Sequence, residues 1–157
     1  MTSRDNYTAA NHSAIPDNLG PRLSAFFRSW DDAHTQDHAY LNLFAPDAKL
    51  VFGPTPSVGR DAIRAFRGAM VHPTNGPVVS LQHTLEKVFV VAGGAGNGRQ
   101  EIVLTGSIWY KLKNGRRVDA DFASSMVFAD NGQGELQAKF YEVYVDSLEL
   151  ITAIKEL

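Results

Sequence analysis

His83 and Asp31 are the residues in this chain from which proton-transfer chemistry could be built. His83 lies in Val79-Leu81-His83-Leu85, an alternation whose other members are apolar, so its imidazole is expected to point inward. A carboxylate that holds one imidazole nitrogen fixes the tautomer and leaves the other nitrogen free to take or give a proton. Asp31, late in the first helix, could be that carboxylate. The same two residues also fit a plainer arrangement, a buried histidine satisfied by a helix carboxylate for structural reasons. On residue types alone the plainer arrangement comes first.

The elements that must position such residues are read from a hairpin. Glu101–Leu112 and Arg117–Phe128 are rich in β-branched and aromatic residues and flank Lys113-Asn114-Gly115-Arg116. Asn-Gly between such runs predicts a two-residue type I′ turn, because that turn needs φ > 0 at both central positions. Counting outward from it, Lys113 faces Arg116, Trp109 faces Ala120, Ser107 faces Phe122, Thr105 faces Ser124 and Val103 faces Met126. That face is expected to be the interior, with Trp109, Phe122 and Met126 as bulk and Thr105, Ser107 and Ser124 as hydroxyls between them. Ile102, Leu104, Ile108, Tyr110, Asp119 and Asp121 are then expected outside. A slip of one residue would exchange the sets. Tyr141, on the last strand, is a further candidate donor; Phe140, Glu142 and Tyr144 are the alternative inward set.

Other candidates are weaker. His34 and His38 have a helical metal-ligand spacing, but Thr35-Gln36-Asp37 interrupts it and no third ligand is spaced for it. Arg60, Arg64 and Arg67 read as the solvated side of an amphipathic helix. The glycine-rich Gly93–Gly98 joins strand to strand and opens no helix, so it is no phosphate loop.

The chain has 157 residues, 44% of them hydrophobic and 20% charged, with a net charge of −2 and no cysteine. Those values describe one soluble domain with a real core. They exclude thiol chemistry and give no electrostatic case for nucleic acid. No apolar run approaches a membrane span, and the polar start shows no secretory signal, so a cytoplasmic location is expected. Residues 1–20 read as a flexible tail and 21–157 as a single domain. In order come a helix from Pro21 to about His34, a short helix His38–Phe44 and a strand Ala48–Phe52. A helix Arg60–Val71, a long strand Val78–Ala92, the hairpin, a strand Glu135–Val145 and a helix after Ser147 follow. Helices first and antiparallel strands after them argue an α+β fold.

Leu43-Phe44-Ala45-Pro46-Asp47-Ala48 before a short strand, Gly59-Arg60-Asp61-Ala62-Ile63 opening a helix, and the closing Tyr144-Val145-Asp146 resemble the SnoaL-like branch of the nuclear-transport-factor-2-like superfamily. The resemblance spans roughly Leu23 to Leu150. It implies a cone-shaped α+β barrel of cystatin-like type, a curved antiparallel sheet wrapped over N-terminal helices with a pocket between them. Its members include polyketide cyclases, scytalone dehydratases, ketosteroid isomerases and epoxide hydrolases, beside non-catalytic binding modules. Trp30-Asp31 and Gln82-His83 match the scytalone dehydratase pattern, in which the Asp and His are the acid–base pair. The dehydratase's short-strand tyrosine, and the isomerase's catalytic aspartate, fall at Phe52. The isomerase's oxyanion-hole aspartate and the cyclase's histidine fall near Ser124. Neither dehydratase nor isomerase chemistry is therefore carried over whole.

These readings together imply a cofactor-independent, metal-free acid–base enzyme. It would be a cyclase, isomerase or dehydratase acting on a hydrophobic carbonyl compound such as a polyketide or terpenoid. His83 and Asp31 would be catalytic, and Trp30, Phe52, Thr105, Trp109, Phe122, Ser124 and Tyr141 would bind substrate. The alternative is a non-catalytic ligand-binding or dimerisation module on the same fold; an epoxide hydrolase ranks third. A homodimer is expected through the apolar row Ile102, Leu104, Ile108 and Tyr110 on the outer sheet face.

Overall fold

Leu23, Phe26, Phe27 and Trp30 recur at helical spacing. All four are buried along one side of α1 (Gly20–Trp30) in the computed structural model, which describes residues 3–93 and 98–157. Pro21 opens the helix, where its missing N–H costs nothing. The helix stops at Trp30, short of the expected His34. Its loose carbonyls there are taken by a side chain from elsewhere: Arg67 donates to Trp30 C=O at 3.1 and 2.7 Å and to Asp32 C=O at 2.9 Å. Arg67 is thus buried, and the expected solvated basic stripe is corrected at that position. Its guanidinium also lies 4.5 Å from the Tyr40 ring centroid.

The expected second helix is a five-residue 3-10 segment, Ala39–Leu43, followed directly by β1 (Phe44–Val51) and β2 (Ser57–Val58). Next come α2 (Arg60–Met70), β3 (Val78–Val90), β4 (Arg99–Leu112), β5 (Arg117–Asp130), β6 (Leu136–Val145) and α3 (Leu148–Lys155). The six strands form one curved sheet in the order β2-β1-β6-β5-β4-β3. Every pairing is antiparallel except β1 with β6, so the sheet is mixed where an antiparallel one was expected. The fold is α+β, with α1 lying in the core beneath the sheet. Phe26 there meets Phe44, Phe128 and Tyr141 edge to face at 5.0–6.2 Å, each pair worth about 0.5–1.5 kcal/mol beyond burial. No helix among the described residues is long and apolar enough to cross a membrane. Residues 94–97 of the glycine-rich loop lie outside the described residues.

The hairpin differs from expectation by one residue. Gly115 N–H donates to Leu112 C=O at 2.9 Å and Leu112 N–H to Arg116 C=O at 2.8 Å. Gly115 has φ 86°, whereas Asn114 does not have positive φ. The loop is therefore three residues, a turn closed by one left-handed glycine, and not the type I′ pair. Lys111 consequently faces Arg117, Tyr110 faces Val118 and Gly106 faces Phe122. The even-numbered residues of both strands now share the inner face. Ile102, Leu104, Ile108 and Tyr110 are buried, while Thr105, Ser107 and Trp109 belong to the other face with Asp119 and Asp121. The apolar row assigned to a dimer interface is core.

Gly106 shows why that register is tight. A Cβ there would sit 2.2 Å from Thr84 O and 2.9 Å from the Phe122 ring. Only glycine lets Phe122 lie across β4 toward β3.

Within the first twenty residues, expected as a flexible tail, the stretch from Arg4 to Asn11 runs along the free edge of β3. Leu85 N–H donates to Asn6 C=O (2.8 Å) and Ala10 N–H to Glu86 C=O (2.7 Å). The Asn11 side chain bonds both backbone groups of Val88, at 2.8 and 3.0 Å. Ala9, Ile15 and Leu19 are buried. A polar segment can pack in this way because an edge strand offers unpaired N–H and C=O groups that Asn and backbone can satisfy.

Candidate active site

His83 is carried by β3, where Leu81, His83 and Leu85 all face inward. Asp31 sits one residue past the end of α1, its own N–H bonded back to Phe27 C=O at 3.0 Å. The two meet in the core. Asp31 Oδ1 lies 2.6 Å from His83 Nδ1, and Asp31 Oδ2 accepts the His83 backbone N–H at 2.7 Å. Their side chains are 3% and 4% exposed, so water cannot compete for these bonds. One carboxylate thus grips both the ring and the backbone of one histidine. With Nδ1 so held, the hydrogen belongs on Nδ1 and Nε2 carries the lone pair. Among the described residues no group hydrogen-bonds Nε2.

Aromatic rings hold the imidazole from two sides. Phe27 lies 4.9 Å and Phe122 5.0 Å from it, centroid to centroid. His83 then opens on a narrow cavity whose buried walls include Trp30, Leu81, Ile108, Tyr110 and Tyr141. Phe52, Phe66, Met70 and Val143 are half-buried and form its mouth, with the Phe52 and Phe66 rings 5.7 Å apart. The free space is about 20 Å³, room for roughly one water.

Two tyrosines supply the cavity's hydroxyls. Burial raises the Tyr110 pKa above its ordinary value, and the Asp31 charge adds to the shift. Burial likewise raises Tyr141, with Tyr110 and Asp31 adding to it. Both hydroxyls therefore stay protonated and can only donate toward a developing negative charge. Ser124 lies beside Tyr141 and pulls that shift slightly back, though its buried Oγ has no partner in hydrogen-bond geometry.

Of the residues expected to bind substrate, Trp30, Phe52 and Tyr141 line the cavity, and Phe122 packs on His83. Ser124 is inward but behind that wall. Thr105 and Trp109 are corrected: the hairpin register turns both to the outer face, where the Arg117 guanidinium covers the Trp109 ring at 5.1 Å. The reading missed Tyr110 for the same reason. It also missed Tyr7, which donates its hydroxyl to Asp31 Oδ2 at 3.1 Å from the supposed tail. Nothing in the polar composition of residues 1–20 marks that tyrosine, whereas the alternation of β4 could have revealed Tyr110. Arg117 pairs with Asp119 at 2.6 Å and holds its carboxyl below the usual range, so this outer acid is half of an ion pair on the surface.

No protein-family model matches this chain, and no curated protein does. Solved structures match over most of its length. A nuclear transport factor 2-like superfamily protein from Salmonella enterica serovar Typhimurium superposes with TM-score 0.66 at 14% identity, over 79% of this chain and 85% of that one. A candidate scytalone dehydratase from Novosphingobium aromaticivorans gives TM-score 0.65 at 12% identity, covering 82% of each chain. A type 2 hexachlorocyclohexane dehydrochlorinase gives 0.67 at 8% identity, over 82% of this chain and 83% of that one. The chain has the nuclear-transport-factor-2-like fold. At such identities the likeness is one of fold.

Proposed function

We propose that this chain is a cofactor-independent acid–base enzyme of the SnoaL-like kind, acting on a hydrophobic carbonyl-bearing small molecule. The observation that carries the reading is the grip of Asp31 on Nδ1 and backbone N–H of His83, which leaves Nε2 unbonded at an aromatic cavity. His83 Nε2 would take a proton from carbon next to a carbonyl and return it elsewhere. Asp31 would stabilise the imidazolium formed in between. Tyr110 and Tyr141 would donate toward the enolate oxygen, and Trp30, Phe52 and Phe122 would keep water away. Cyclisation, isomerisation and dehydration all begin with that step. The candidate scytalone dehydratase and the dehydrochlorinase among its structural neighbours, both named for eliminations, support elimination on this fold.

The test is exchange of α-hydrogen for deuterium in a panel of hydrophobic aryl ketones and β-hydroxyketones, followed by NMR. Wild type should exchange at least one compound. His83→Ala should lose about 10²–10⁴-fold, the usual worth of general acid–base catalysis, and Asp31→Asn should lose a similar factor. Equal rates in wild type and His83→Ala would reject the reading.

The narrowness of the cavity bears equally on the alternative, a non-catalytic ligand-binding module, since either must admit a small molecule. With room for about one water the cavity must widen at Phe52, Phe66 and Met70 before any ketone enters. A binding module would show saturable ligand binding with no exchange.

Self-association is part of the same reading, through the outer sheet face as the register defines it. Val103, Ala123, Val127 and Phe140 are half-buried there, beside the exposed Phe89 and Tyr144. Light scattering at tens of micromolar should give twice the monomer mass, and Tyr144→Lys should lower it.

A further inference from the structure

Tyr7 lies 24 residues before Asp31 in the chain, yet its hydroxyl ends on the dyad carboxylate. Its delivery is elaborate for a segment of so polar a composition. Ser24 Oγ–H donates to Tyr7 C=O at 2.6 Å, and Tyr7 N–H donates to Asp5 Oδ1 at 2.9 Å. The Arg28 guanidinium lies 5.2 Å from the ring centroid, itself paired to Asp5. Asn6 C=O and the Asn11 side chain tie the flanking backbone to Leu85 and Val88 of β3, the strand that bears His83.

We infer that Tyr7 is a positioning residue for the dyad: its hydroxyl is the third donor to the Asp31 carboxylate, and it sets how strongly that carboxylate holds the His83 ring. A buried carboxylate offers about four acceptor positions that water cannot fill. Oδ1 serves the ring nitrogen alone, while Oδ2 serves the His83 N–H and the Tyr7 hydroxyl. The two His83 bonds already orient the carboxylate. The contribution left to Tyr7 is electronic: a donor on Oδ2 draws negative charge away from Oδ1. That loosens the hold on an imidazolium and makes His83 a readier proton donor in the second half of a transfer. Burial and the nearby Asp31 charge hold the Tyr7 hydroxyl protonated, so it remains a donor across ordinary pH. The other charged or ionisable groups facing this cluster are Arg67 from α2, Tyr110 from β4, Tyr141 from β6, and Asp5 and Arg28 around Tyr7. Tyr7→Phe alters none of them. The inference rests on the proton-transfer reading for its purpose, but not for its measurement.

The test is an NMR pH titration of imidazole ¹⁵N shifts in histidine-labelled protein, with His83 assigned by its loss in His83→Ala. Tyr7→Phe removes one oxygen, and near-UV circular dichroism checks that the fold persists. With the donor gone, more charge faces the ring. The His83 midpoint should rise by about 0.5–1 pH unit, as expected for losing part of a charge-assisted hydrogen bond. Asn11→Ala is the companion variant, because it loosens the segment on β3 and keeps the hydroxyl. It should move the midpoint much less. An unchanged midpoint in folded Tyr7→Phe would overturn the assignment. So would an equal shift in Asn11→Ala, which would make the effect one of segment packing. Because no substrate is involved, failure of the exchange assay and failure of this titration are separate results.

Discussion

The two sides of the sheet meet carboxylates with opposite consequences. On the outer face Asp119 is solvated and paired with Arg117, and Trp109 lies under the same guanidinium. On the inner side Asp31 meets the sheet as a carboxylate that water cannot reach, satisfied among the described residues by His83 and Tyr7. An exposed ion pair is worth little and is easily replaced by water. A buried carboxylate keeps its charge only through its donors, and so it governs the group it touches. Residue type alone does not separate the two; burial between α1 and the sheet does.

The comparison breaks most visibly at the dyad, where His83→Ala carries the largest expected effect, about 10²–10⁴-fold in exchange rate. Asp119→Asn, the same chemistry on the outer face, should leave that rate unchanged.

Next in size is the register itself. Ile108→Lys puts a charge into the core, and its loss should be at least about 4 kcal/mol in denaturant unfolding, enough to prevent folding. Thr105→Lys, three residues away on the outer face, should stay within about 0.5 kcal/mol. The reverse result would mean that the type I′ register is the true one.

The smallest effect is a pH dependence. Tyr110 and Tyr141 have pKa values raised by burial on the inner side. A raised folded pKa means stability that is complete below the unfolded tyrosine value of about 10 and is lost as pH rises beyond it. Each such tyrosine should cost about 1.4 kcal/mol for each pH unit above that value. Urea midpoints measured from pH 8 to 11 should therefore fall, and Tyr110→Phe should flatten the fall. A flat wild-type profile would place both rings in water.

Much of this was legible in local pattern. Helical spacing of Leu23, Phe26, Phe27 and Trp30 marked α1, and period-two alternation marked β3 with His83 inward. Both signals come from geometry repeated within one element, so a single sequence carries them. The β4 alternation was also readable. With Glu101, Val103, Thr105, Ser107 and Lys111 on one face and Ile102, Leu104, Ile108, Tyr110 and Leu112 on the other, the polar set belongs outside. Trusting the Asn-Gly pair over that pattern moved Thr105 and Trp109 into the site and Tyr110 out of it. The sign of φ at Asn114 distinguishes the two turns, and dipeptide identity does not encode it.

Other features depend on groups far apart in the chain. Arg67 is buried because α1 ends where α2 can reach its carbonyls. Tyr7 joins the dyad because β3 is an edge strand with backbone groups to spare, and Asn6, Ala10 and Asn11 bond to some of them. The amino-acid sequence by itself determined the long strands, α1, α2 and the inward histidine through periodicity along one stretch, and the α+β class through the order of those elements. Asp31 was already the expected partner of that histidine through the scytalone dehydratase resemblance; only the tertiary structure decided how the carboxylate grips it, which tyrosines face the cavity and how narrow the cavity is. Those depend on register and on contacts between distant segments, where a shift of a single residue reverses a side chain's direction.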